Sequence, residues 1–87
     1  MALNNESAEC HFNLASAYGD LKKFNHAVKH YQESIRLESG NVDAHISLGG
    51  VYEEMKEPKL AATAFKAALK LDPESTKALE GIGRLKN

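Results

Sequence analysis

The chain is 87 residues long, 43% hydrophobic and 26% charged, with 11 basic against 12 acidic residues and a formal net charge of -1. That is the make-up of one small globular domain, and the balance of charge excludes both the basic footprint of a nucleic-acid binder and a polybasic attraction to anionic membrane surfaces. No apolar run is long enough to cross a bilayer and the first residues carry no secretory leader, so cytoplasmic residence is expected.

Apolar residues at Cys10, Leu14, Ala17, Tyr18 and Leu21 mark one face of a helix from about Ser7 to Leu21, with Ser7 as its N-cap. Asn5-Glu6-Ser7 spells a glycosylation acceptor, which without a leader reads as a chance match. Lys22 and Lys23 suit the negative end of the first helix, and Phe24, Ala27, Val28, Tyr31 and Ile35 carry a second one to about Leu37. Gly40 is placed to close it in the left-handed conformation, and Asn41 to cap the next helix. That third helix presents Ala44, Leu48, Val51, Tyr52 and Met55. Pro58 suits the first turn of a fourth, which turns Ala61, Ala64, Phe65, Ala68 and Leu69 inward and stops at Asp72-Pro73. Ser75 caps a fifth, with Ala78, Ile82 and Leu85 in the same register.

The third helix repeats the first after 34 residues, and the hairpin as a whole repeats with it. His45, Leu48, Gly49, Tyr52, Ala61, Phe65 and Pro73 correspond to His11, Leu14, Ala15, Tyr18, Ala27, Tyr31 and Ser39, and the unit restarts at Leu79, Ile82 and Gly83. This pattern resembles the tetratricopeptide repeat, whose Trp, Leu-Gly, Tyr, Ala, Phe and Pro it matches with His in place of Trp. The resemblance implies an all-α, helix-turn-helix repeat array, a right-handed solenoid with its helices A lining a concave side. Repeat one is placed at 8–41, repeat two at 42–75 and a terminal helix at 76–87, in a single domain over 1–87. Leu3 stands one period before Leu37 and two before Leu71, as expected of a segment cut from a longer array. Ala15, Gly49, Ala27 and Ala61 are read as the small residues that let helices approach, with Tyr18, Tyr52, Tyr31 and Phe65 filling the space between neighbours. Gly49-Gly50 and Gly81-Ile82-Gly83 are likewise close-packing positions, since neither follows a strand as a phosphate loop must.

Residues that carry chemistry are few. His26 and His30 stand at i, i+4, a spacing that can chelate, but no Glu base lies between them and no third ligand lies nearby in sequence. A metal-dependent enzyme is therefore the weakest reading, and His11 and His45 are expected to be half-buried fillers. Cys10 has no disulfide partner in the chain and reads as a small packing residue. With no paired carboxylates and no serine elbow, no catalytic, cofactor or metal residue is assigned, and the chain is not expected to be an enzyme.

Function is expected on the concave face of helices A. The candidates are Glu9, Phe12, Ser16 and Asp20 in unit one, Asp43, Ile46, Gly50 and Glu53 in unit two, and Lys77 and Arg84 on the last helix. Phe12 and Ile46 are apolar there without an evident role in folding, and the acids beside them favour an apolar segment with a basic end. One class within the family grips acidic chaperone tails through Lys, Asn and Arg; at those positions this chain has Phe12, Ser16, Ile46, Lys77 and Gly81. Only Lys77 matches, so a chaperone tail is not the expected partner. The reading is a non-catalytic scaffold that binds a protein or peptide segment. Its alternative is a purely structural or self-associating segment of a longer superhelix. Self-association through the terminal helices is expected from the uncovered apolar edge at each end, where Lys86 replaces the Tyr18 and Tyr52 of the earlier units.

Overall fold

The computed structural model describes residues 7–86, which leaves Leu3, most of the Asn5-Glu6-Ser7 triplet and Asn87 outside the described residues. Its five helices are α1 (Ala8–Asp20), α2 (Phe24–Leu37), α3 (Val42–Glu54), α4 (Pro58–Leu71) and α5 (Thr76–Leu85). Three begin on side-chain caps: Ser7 accepts from the Cys10 N–H at 3.0 Å, Asn41 from Ala44 at 3.3 Å and Ser75 from Ala78 at 3.3 Å. Each cap satisfies one of the backbone donors that a first helical turn leaves open. Pro58 occupies the first turn of α4, and Asp72, held extended before Pro73, ends that helix.

The left-handed residues are not the one expected. Gly40 keeps a negative φ, whereas Lys22 (φ 65°) and Lys56 (φ 64°), one period apart, take the left-handed conformation. The reason lies in the tight turn within each hairpin. Lys22 donates to Gly19 at 3.0 Å and Lys23 to Tyr18 at 2.8 Å, while Lys56 donates to Glu53 at 3.0 Å and Glu57 to Tyr52 at 2.9 Å. These paired bonds close the C-termini of α1 and α3 and require φ > 0 at the first residue beyond the cap, whatever its side chain. The α2 terminus instead leaves through an extended Glu38, so Gly40 is not called on.

The helices pair as α1 with α2 and α3 with α4, and the hairpins stack in a row measuring 48 × 26 × 16 Å. Helices α1, α3 and α5 touch their neighbours in the same layer, whereas α2 and α4 do not touch each other. The α1, α3, α5 layer is thus the tighter, inner side of the curve. Ala15, Ala27, Ala61, Ala68 and Ala78 are wholly buried at the helix crossings. Phe65, 1% exposed, is gripped between two glycines: a Cβ on Gly49 would lie 2.7 Å from its ring and one on Gly81 2.6 Å. Gly49 and Gly81 are close-packing positions as expected; Gly50 and Gly83 are not, since a Cβ on either meets nothing within 4 Å.

The apolar stripe of α1, expected to be buried, is largely exposed. Ala15 is its one buried residue among those described, while Leu14 is 43% and Leu21 66% exposed. The equivalent Leu48, Val51 and Tyr52 of α3 are buried. The register is the same in both helices, but among the described residues only α3 of the two has a preceding hairpin to pack against. Ser34, not anticipated at all, is wholly buried, and its hydroxyl donates to the Ala8 carbonyl at 2.9 Å, tying α2 to the first turn of α1.

Candidate functional site

The inner layer carries an open groove of ≈ 500 Å³ between α1 and α3. Its walls are Ser16, Gly19 and Asp20 from α1 and Ser47, Gly50, Val51, Glu53 and Glu54 from α3, with Phe24 and Tyr31 of α2 behind. The 34-residue register dictates this composition. Positions 16 and 50 are equivalent, as are 20 and 54, so the face that unit one turns toward unit two has small residues at its centre and carboxylates at its end.

Of the sequence candidates, Ser16, Asp20, Gly50 and Glu53 converge on this groove. Glu9, Phe12, Asp43 and Ile46 sit further toward the N-termini of α1 and α3 and do not line it. Phe12 and Ile46 also have a folding role, contrary to the expectation: both are half-buried and pack on the core, Phe12 with its ring edge-on to Tyr31 at 5.7 Å between centroids and 69° between planes. Lys77 is exposed on the first turn of α5. Arg84 reaches back to α3, where its Nε donates to Glu53 Oε2 at 3.0 Å and its Nη2 to Oε1 at 2.8 Å. This fork raises the guanidinium pKa, first through the hydrogen bond to Glu53 and then through its charge. Lys22 approaches Glu54 at 3.6 Å, with both side chains more than half exposed. Tyr31 and Phe24 were assigned to the hairpin core; their appearance beneath the groove comes from helix packing, which sequence spacing within one helix does not report.

The histidines regroup on the other side of unit one. His30 pairs with His11 across the hairpin, Nδ1 to Nδ1 at 3.0 Å, rather than with His26 along its own helix. Tyr18 lies against His26 at 4.9 Å and, nearly parallel, against His30 at 5.5 Å. Burial is the chief cause of a lowered His30 pKa, followed by the positive potential of His11, Lys29 and His26. Among the described residues no group of three or more His, Cys, Asp or Glu is arranged to hold a metal ion. A second groove, of ≈ 310 Å³ and more apolar, lies between α2, α3 and α4, where Gln32 donates to the Tyr52 hydroxyl at 3.3 Å. Among the described residues no helix is long and apolar enough to cross a membrane.

Comparison with known proteins places this geometry in context. Two models of the tetratricopeptide repeat match, one over residues 8–41 and one over 42–75. The chain is 30% identical over 64 residues to human Superkiller complex protein 3, covering 74% of this chain and 4% of that protein. It is 26% identical over 73 residues to Protein O-mannosyl-transferase Tmtc3 of Drosophila melanogaster, covering 84% of this chain and 8% of that protein. The crystal structure of MamA protein superposes with a TM-score of 0.91 at 30% identity, covering 95% of this chain and 45% of that one. The chain therefore spans only a small part of the two curated relatives.

Proposed function

The chain belongs to the tetratricopeptide repeat family, and on that premise we propose that it is a non-catalytic scaffold module that binds an extended protein segment along the inner face of α1, α3 and α5. The observation that carries this reading is the groove between α1 and α3, where four of the sequence candidates meet. A groove this open does not exclude water from a reaction, which supports binding over catalysis. Glu9, Phe12, Asp43, Ile46, Lys77 and Arg84 would extend the contact beyond the groove. The segment we favour is apolar with a basic end, bound within a single domain that resides in the cytoplasm.

A random dodecapeptide library displayed on phage and panned on the full chain tests this. The expected binders recognise the wild type but not a Gly50→Trp variant whose circular dichroism stays helical; a Cβ at Gly50 meets nothing within 4 Å. Binders that recognise the variant equally well would contradict the inner-face site.

A second reading has its own observation. On α5, Ile82 and Leu85 are half-buried against the core, while Leu79 turns away from it and is 50% exposed. Self-association through this edge predicts a sedimentation coefficient that rises with concentration, and a constant monomeric value sinks it.

A further inference from the structure

We infer that the groove between α1 and α3 receives an arginine side chain of the bound segment, an inference that rests on the peptide-binding reading above. The repeat itself supplies the template. At the seam between α3 and α5, Arg84 lays its guanidinium on Glu53 through two bonds of 3.0 and 2.8 Å. One 34-residue period earlier (84 − 34 = 50 and 53 − 34 = 19), Arg84 corresponds to Gly50 and Glu53 to Gly19. The chain's own fork thus fills one seam, and two glycines leave the other open. A Cβ on Gly50 would meet nothing within 4 Å, and one on Gly19 only Val51, at 4.0 Å.

The surroundings select the occupant. Asp20 and Glu54 stand at the rim, Phe24 and Tyr31 lie beneath, and no cationic side chain lines the groove. Asp20 has no ion-pair partner among the described residues, and the contact of Glu54 with Lys22 is long and exposed, so it yields to a competitor at little cost. A carboxylate rim suits a planar guanidinium, which bonds as a fork. A lysine ammonium answers only the charge, and a carboxylate is repelled.

The test reads the sequences of the dodecapeptides recovered on the full chain. The expected result is arginine enriched at one fixed position, and a synthetic copy with citrulline there binding on the order of tenfold more weakly, the loss expected for a charge-assisted pair. Asp20→Asn should narrow that difference, and Gly50→Arg, which supplies the guanidinium from within, should abolish binding while the circular dichroism stays helical. Binders without arginine enrichment, or citrulline copies that bind equally well, overturn the arginine site and leave the peptide-binding groove standing. A library that yields no binders removes both.

Discussion

At the residue scale, the His11–His30 contact constrains where protons can sit. An N–H···N bond between two Nδ1 atoms needs one of them bare, and the His11 Nε2 is buried without a partner. The neutral arrangement that leaves no buried donor unpaired has His11 donating from Nδ1 with its Nε2 bare, and His30 accepting. A proton added at the His30 Nδ1 removes that acceptor, so protonation of His30 works against the hairpin. The groups around the pair agree: burial, His11, Lys29 and His26 lower the His30 pKa from 6.5, and only Glu33 opposes them. Because the folded pKa is the lower one, the unfolded chain takes up protons first, and stability is lost as pH falls below the unfolded value of about 6.5. We expect a lower Tm at pH about 5 than at pH about 7, and a flatter profile for His30→Gln. An unchanged slope in His30→Gln would contradict the assignment. Lys56 gives a second expectation. Held at φ 64° without a Gly to ease it, it should tolerate Lys56→Gly with a gain of about 1 kcal/mol in denaturant unfolding, and a loss would mean the turn draws on its side chain.

At the scale of elements, Phe65 between Gly49 and Gly81 locks α4 to both neighbouring helices. Gly49→Ala should destabilise by about 1–3 kcal/mol, because a fully buried ring has nowhere to move, whereas Gly50→Ala, one residue on and facing open space, should gain up to about 1 kcal/mol from helix propensity. Equal effects from the two would refute the register. Ala61→Leu, at a crossing with 0% exposure, belongs with Gly49→Ala and should lower the Tm by the same mechanism. These elements were legible because local chemistry marks them: Ser7, Asn41 and Ser75 cap, Pro58 starts, Asp72-Pro73 stops, and the 34-residue period fixes which positions of α3 and α4 are small. What was illegible depends on neighbours. Leu14 and Leu48 read identically, and one is exposed and the other buried because, among the described residues, a preceding hairpin packs on α3 and none on α1. Likewise His30 finds its partner on another helix, and Ser34 is polar by type but buried because it meets the Ala8 carbonyl. Of the site, the Ser16, Asp20, Gly50 and Glu53 cluster came from the register, while Phe24 and Tyr31 beneath it required the packing of α2 against both inner helices.

At the scale of the whole molecule, a row of hairpins exposes two kinds of concavity: the polar inner groove between α1 and α3 and the apolar outer groove between α2, α3 and α4. If the inner groove takes the proposed basic segment, its acidic rim residues make that association salt-sensitive, since partly exposed charges are screened over about 10 Å at moderate ionic strength. We expect binding to the inner face to weaken as salt is raised, and a salt-independent affinity measured by fluorescence anisotropy would speak for the apolar outer groove. Whether the inner face is the binding face is tested most directly by backbone amide chemical shifts of the isotopically labelled chain during titration with a library-selected peptide. We expect saturable shifts centred on Ser16, Gly19, Ser47 and Gly50, with Ile35, Thr63 and Ala67 unmoved; shifts centred on Ile35, Thr63 and Ala67, with Gly19 and Gly50 unmoved, would contradict an inner-face site.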